Sequence, residues 1–276
     1  MTQTILINGL EIHNIKGEGA PVIFLHGGPG VYGYIEKFCH LLSGAGDIFY
    51  YNQRGSKQNS DVIKIEHHIS DLEKVVSHVG SEEKPILVGH SWGAMLGILF
   101  AGRHSDKIQK LILVGSGPLN REQEQEFFKS LDERFGDQKE YYDELWDIVE
   151  KETDSQKKQE LANDYINKVT HFYQYDKDSV DELIPMFYDF EALHETMVDM
   201  DNLKTTGEYE NMLSKIEVPI TCMHGDYDPV PPESIFGLIK KYHPIAETFE
   251  FKNCGHNPWV EPCKDEFLSI LKKQLN

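Results

Sequence analysis

An α/β fold, a mostly parallel doubly wound sheet with an inserted helical cap, is what this 276-residue sequence predicts. Three observations carry that expectation. Short apolar runs alternate with stretches of helical spacing in both terminal parts of the chain, the pattern of strands joined by crossover helices. The alternation stops after Gly117-Pro118 and resumes near Val218-Pro219. Between those points no strand signal stands out, while apolar residues such as Leu145, Ile148 and Val149 recur at helical spacing. The chain is therefore expected to form one domain: a core of residues 1–117 and 214–276, and a cap, 118–213, inserted into it.

The elements follow in order. Ile5-Leu6-Ile7 and residues 11–15 flank Asn8-Gly9, a strong signal for a two-residue hairpin turn. Residues 22–25, 48–51, 86–88, 111–114, 220–223 and 248–251 read as strands, short segments rich in apolar, aromatic and β-branched residues. Between and after them, residues 34–42, 69–79, 93–103, 234–242 and 264–275 show the helical period. A 39% hydrophobic content over this length is enough for one large core. The opening Met1-Thr2-Gln3-Thr4 lacks a basic region followed by an apolar stretch, and no apolar run reaches the ~18 residues of a membrane span, so a soluble cytoplasmic protein is expected.

Chemistry concentrates where strands end. Gly89-His90-Ser91-Trp92-Gly93 lies between the apolar Pro85-Ile86-Leu87-Val88 and a helical stretch from Ala94. That strand-turn-helix context makes it a nucleophile elbow, in which flanking glycines let strand and helix press together and leave the Ser91 hydroxyl above the sheet. A serine hydroxyl needs a general base, and the base needs an orienting carboxylate. Asp228 follows the strand at 220–223 in the turn Gly225-Asp226-Tyr227-Asp228-Pro229, and His256 lies in the loop leaving the strand at 248–251. Ligands of parallel α/β sheets bind beyond the carboxyl ends of the strands, so these three can converge. Asp226 is the rival carboxylate; His26, His90 and His224 are the rival imidazoles. An early strand runs into His26-Gly27-Gly28-Pro29-Gly30, and Gly28 is nominated with Trp92 to supply the N–H groups of an oxyanion hole, each typically worth ~2.7–4 kcal/mol. A phosphate-cradling loop is the poorer reading because Gly-x-Gly-x-x-Gly spacing and a following Lys-Ser or Lys-Thr are absent.

Together His26-Gly27-Gly28-Pro29-Gly30, Gln53-Arg54-Gly55 and Ser91-Trp92-Gly93 resemble the proline iminopeptidase branch of the α/β-hydrolase family. The motifs run from residue 22 to residue 258. The resemblance implies cleavage of an N-terminal residue, often proline, from short peptides, with acidic residues holding the free amine. The chain departs from the branch in three places. Asn52 precedes Gln53-Arg54-Gly55, where the branch has aspartate, and Ser56-Lys57-Gln58 follow. Pro229 follows Asp228, where some relatives have glutamate, and Asp201 and Asn202 occupy the late cap stretch in which relatives carry a glutamate.

Charge points the same way as that amine. Residues 118–213 hold 10 Lys and Arg against 26 Asp and Glu, a net −16 out of −19 for the whole chain. Such a field favours substrates carrying a free amine and disfavours nucleic acid and anionic lipid, although a merely solubilising surface would have the same composition. Glu191 and Glu195, one helical turn apart, and Asp201 are the cap carboxylates nominated to meet an amine. The cap aromatics Phe172, Tyr173, Tyr175, Phe187, Tyr188 and Phe190 are candidates for an apolar wall. Cys39, Cys222, Cys254 and Cys263 lack Cys-x-x-Cys spacing and are too sparse for a disulfide framework, so core or loop thiols are expected, with Cys254 an inert neighbour of His256. The expected function is serine hydrolysis through an acyl-enzyme, without metal or organic cofactor, on a small molecule or short peptide. The leading form is an aminopeptidase; the alternatives are a carboxylesterase or lactonase, and a non-catalytic binding protein. An aspartate at the elbow would have meant a dehalogenase; this chain has Ser91.

Overall fold

A computed structural model describes residues 2–7, 9–55, 63–183 and 186–275. β1 (Thr2–Ile7) and β2 (Leu10–Ile15) form an antiparallel hairpin with Ile7 opposite Leu10. Gly9 takes φ +88°, as its turn requires, while Asn8 and the segment Ser56-Lys57-Gln58 lie outside the described residues. There follow β3 (Pro21–Leu25), β4 (Val31–Tyr32), α1 (Ile35–Leu41), β5 (Asp47–Tyr51), α2 (Ile65–Val79), β6 (Ile86–His90), α3 (Trp92–His104) and β7 (Lys110–Val114). After an excursion, the sheet resumes with β9 (Ile220–Gly225), α9 (Pro232–Tyr242), β10 (Glu247–Phe251) and α10 (Lys264–Gln274).

The eight strands pair in the order β1-β2-β5-β3-β6-β7-β9-β10, parallel from β5 to β10 and antiparallel at β1 and β2. Side chains of a strand alternate between faces, and here the alternation feeds two cores. Leu87, Leu111 and Leu113 face a layer shared with α2, α3 and α9, whereas Val88, Ile112 and Val114 face one shared with α1 and α10. Ten consecutive residues of α3, from Trp92 to Ala101, are buried, which fits a helix apolar all round at the centre of the fold. No helix among the described residues is long and apolar enough to cross a membrane.

The excursion between β7 and β9 holds α4 (Arg121–Phe135), α5 (Lys139–Lys151), α6 (Ser155–Val169), β8 (Phe187–Tyr188), α7 (Phe190–Thr206) and α8 (Glu208–Leu213). Leu131, Phe135, Tyr142, Val169 and Phe172 give α4, α5 and α6 a small core of their own. Three features differ from the sequence reading. β8 is a strand where none was expected: Phe187 and Tyr188 pair with Tyr32 and Val31 of β4, and a two-residue bridge is too short to show a period. α8 sends Tyr209, Met212 and Leu213 into the main core beside α3, so the last part of the expected cap packs with the sheet layer. α2 also starts at Ile65 rather than 69, because its first N–H groups find acceptors in another element. Glu195 Oε2 takes the Ile63 N–H at 2.6 Å and Asp199 Oδ2 takes that of Ile65 at 3.2 Å, both from α7, while His67 Nδ1 takes the N–H of Lys64 at 3.3 Å.

Candidate active site

Ser91 stands at the junction of β6 and α3 with φ 55° and ψ −119°, a conformation that non-glycine residues adopt only where their surroundings enforce it. The enforcement is visible on either side. A Cβ on Gly89 would lie 2.3 Å from the Gly93 carbonyl oxygen, and one on Gly93 would lie 2.2 Å from that of Leu25. The Ser91 N–H is tied to the Val114 carbonyl at 3.0 Å. Strand and helix thus meet at a distance that only glycine permits.

His256 and Asp228 are brought into direct contact, with His256 Nδ1 donating to Asp228 Oδ2 at 2.7 Å. Asp228 is buried, and its other oxygen accepts the Val230 N–H at 2.9 Å. His224 Nε2 donates to the Val230 carbonyl at 2.9 Å and lies 3.4 Å from Asp228 Oδ2. Burial alone would raise the Asp228 pKa, but the two imidazoles outweigh it and hold the carboxyl well below the usual carboxylate range. Burial likewise opposes a charge on His224, yet Asp228 prevails and lifts its pKa to about 10. Asp226, by contrast, is exposed: its Oδ1 accepts the Cys254 N–H at 3.2 Å and its Oδ2 lies 3.7 Å from Lys252.

The loop that carries His256 is braced more firmly than its sequence suggests. Cys254 and Cys263 are joined by a disulfide, which corrects the expectation of free thiols at these two positions; Cys39 and Cys222 remain free and buried. Pairing depended on the loop folding back over nine residues, which spacing alone does not reveal. Buried Glu261 accepts the N–H groups of Tyr175, Asp176 and Gly255 at 3.0, 3.0 and 3.2 Å, linking the cap to the residue before His256. Burial raises its pKa against the pull of those three bonds. Glu261→Gln must turn an amide NH₂ toward one or more of these donors, at a cost of about 1–3 kcal/mol for a buried unsatisfied group. A fall of several degrees in the thermal midpoint is expected, and an unchanged midpoint would show that the carboxylate does not hold this loop.

A second chain of hydrogen bonds, which the sequence did not single out, connects the loop after β3 to His256. Tyr34 Oη accepts the Gly27 N–H and donates to His90 Nδ1 at 2.8 Å; His90 Nε2 donates to the His256 carbonyl at 2.9 Å. Burial drives the His90 pKa well down, so the ring is neutral, as this donor and acceptor pattern requires. Through His90 the structure brings Ser91 into the same corner as His256, whose ring lies 4.9 Å from that of His90. With the Gly27 N–H engaged by Tyr34, the loop's next N–H is that of Gly28, which sits at φ +56°. Trp92 opens α3, where the N–H has no intrahelical acceptor, and its indole N–H is held by Gln53 Oε1 at 2.8 Å. Gln53 in turn is locked to His26 by two bonds of 2.9 Å, and Arg54 forms a two-pronged pair with Asp71.

Of the nominated cap carboxylates, two are engaged elsewhere. Glu195 accepts from the Ile63 N–H, and Asp201 pairs with Arg121 on the surface. Glu191 is exposed in the first turn of α7, whose cap residue Asp189 donates its N–H to the Gly30 carbonyl at 3.0 Å. The aromatics divide. Tyr173 packs edge-on against His256 at 5.5 Å, and Tyr188 lies over Gly28, whereas Phe172 packs with Phe135 and Tyr142 inside the cap. Among the described residues no group of three or more His, Cys, Asp or Glu is arranged to hold a metal ion.

Residues 20–261 match the family model of the alpha/beta hydrolase fold. The chain belongs to the α/β-hydrolase family. It is similar to the proline iminopeptidase of Saccharolobus solfataricus, with 24% identity over 96% of this chain and 88% of the relative. Two solved structures share its fold: a thermophilic esterase from Thermogutta terrifontis and a proline iminopeptidase from Mycobacterium smegmatis. The esterase has TM-score 0.72 and 17% identity, covering 100% of this chain and 98% of its own; the peptidase has TM-score 0.66 and 18% identity, covering 100% and 97%.

Proposed function

We propose that this α/β-hydrolase is a serine hydrolase of the aminopeptidase type, acting on short peptides or aminoacyl compounds. The observation that carries the proposal is the 2.7 Å bond from His256 Nδ1 to buried Asp228, formed beside an elbow serine held at positive φ. In this reading His256 takes the Ser91 proton as Oγ attacks the substrate carbonyl, and ionised Asp228 fixes the imidazole tautomer and stabilises the imidazolium. The Gly28 and Trp92 N–H groups receive the oxyanion. His256 then protonates the leaving group, an acyl-enzyme forms at Ser91, and a water activated by His256 releases the acid. The excursion from α4 to α7 acts as the cap over this site.

The aminopeptidase form draws on the similarity to proline iminopeptidases and on the acidic cap, with Glu191 the carboxylate left open to an amine. The esterase or lactonase form is favoured by Pro229, which follows Asp228 where some relatives carry glutamate. Aminoacyl substrates and their N-acetylated counterparts separate the two. Faster turnover of the free amines is expected, since acetylation removes the charge the cap attracts. A small preference that salt abolishes would mean steering across roughly 8 Å of solvent, and a large one that Glu191→Gln removes would mean direct contact. Equal rates at low salt would move the assignment to the esterase form.

A further inference from the structure

Arg134, on the α4 face of the cap, stands out by what it lacks. The other three arginines each meet a carboxylate: Arg54 with Asp71 at 2.8 Å, Arg103 with Glu66 at 2.7 Å, and Arg121 with Glu124 and Asp201 at 2.5 Å. Arg134, in a chain with 46 acidic residues, is among the described residues the one arginine with no carboxylate at ion-pair distance. It is half-buried. One Nη1–H donates to the Phe172 carbonyl at 2.8 Å, and the guanidinium carbon lies 4.0 Å above the Tyr227 ring. These contacts fix the group's position and leave most of its five N–H donors without a protein acceptor. Burial lowers its pKa although Tyr227, Asp228 and Tyr173 all act to raise it, so its surroundings do not compensate the charge they desolvate.

The anchor points say which side of the reaction the guanidinium faces. Phe172 precedes Tyr173, whose ring packs on His256 and whose carbonyl accepts the His256 N–H at 2.9 Å. Tyr227 precedes Asp228, the partner of His256. Arg134 is thus fastened one residue away from Tyr173 and from Asp228, which both meet the His256 ring, on the Tyr173 flank of the base. A base that protonates the leaving group must have that group beside it, so this flank is the leaving-group side.

We infer that Arg134 binds a carboxylate on the leaving group, which makes the preferred substrates short peptides or esters whose departing half is itself an acid, such as a free amino acid. The inference rests on the assignment of His256 as the general acid. Guanidinium is suited to the task, because its planar fork matches a carboxylate two-pronged and a lysine cannot reproduce that geometry.

Two esters that differ by one carboxylate test it: 4-nitrophenyl acetate and 3-carboxy-4-nitrophenyl acetate, with wild type, Arg134→Gln and Arg134→Lys. The quantity read is kcat/KM for the carboxylate ester divided by that for the neutral ester. General damage from the substitution divides out, and the repulsion of an anion by the chain's net charge of −19 is nearly common to all three proteins. The ratio should fall roughly tenfold or more in Arg134→Gln and by less in Arg134→Lys. A ratio that holds within about twofold in Arg134→Gln overturns the inference. If wild type cleaves neither ester, the serine hydrolase proposal is what fails, and calorimetric binding of prolyl-glycine and prolyl-glycinamide still judges Arg134. Tighter binding of the acid, lost in Arg134→Gln, sustains a carboxylate site; equal binding, or none of either, overturns it.

Discussion

Ser91→Ala is expected to abolish hydrolysis while leaving the fold unchanged. In the proposed mechanism, removing the nucleophile costs on the order of 10⁶ in turnover, because the base and the oxyanion donors would have nothing left to activate or to stabilise. The structural cost is small for a specific reason. The backbone strain at φ 55° is imposed by the close approach of Gly89, Gly93 and Leu25, and alanine in that conformation pays no more than serine does. No hydrogen bond of the Ser91 hydroxyl holds two elements together among the described residues; its N–H, which alanine keeps, makes the bond to Val114. Turnover and a thermal melt on the same sample decide it. More than roughly a tenth of wild-type activity in a normally folded mutant would remove Ser91 from the mechanism.

Much of this architecture could be read from the chain because its signals are local. The runs at 86–88 and 111–114 are apolar on both faces, as a central parallel strand must be, and the glycine spacing around Ser91 reports a contact within one strand-turn-helix unit. What escaped depends on distant partners. At the start of α2 the Ile63 and Ile65 N–H groups are held by Glu195 and Asp199, more than 130 residues away, and the local acceptor, His67 Nδ1 on the Lys64 N–H, is not one of the usual Ser, Thr, Asp or Asn caps. β8 exists only because β4 lies beside it. Tyr34 and His90 are 56 residues apart, and a tyrosine opening a helix looks like any other aromatic until its hydroxyl is seen between Gly27 and His90. Cys254 and Cys263 each read as an isolated thiol because the loop that returns one to the other is shaped by Glu261 and the cap. His90 was partly legible: it lies inside the elbow motif, yet its role needed the carbonyl of His256, which only the fold supplies.

Asp228→Asn should lower turnover by about 10⁴, and Asp226→Asn by no more than a few-fold, although the two residues share one turn. The difference lies in how many donors each carboxylate faces. Both oxygens of Asp228 are committed as acceptors, Oδ2 to His256 Nδ1 and Oδ1 to the Val230 N–H, and the carboxylate is buried. An asparagine there must turn its NH₂ toward one of them. Turned toward His256, it forces the ring proton onto Nε2, the nitrogen that accepts the proton of Ser91 in the proposed mechanism, and a base of that kind is disabled. Turned toward Val230, it leaves a buried N–H unpaired and still removes the negative charge that stabilises the imidazolium. Either orientation also deprives His224 of the charge that lifts its pKa to about 10, so burial then favours its neutral form. Asp226 faces none of these demands: it is exposed, and an asparagine oxygen can keep its one backbone bond to the Cys254 N–H. Steady-state kinetics of the two mutants on one substrate make the comparison. Similar losses from both would mean that the 2.7 Å contact between Asp228 and His256 is structural and that the orienting acid has been misassigned.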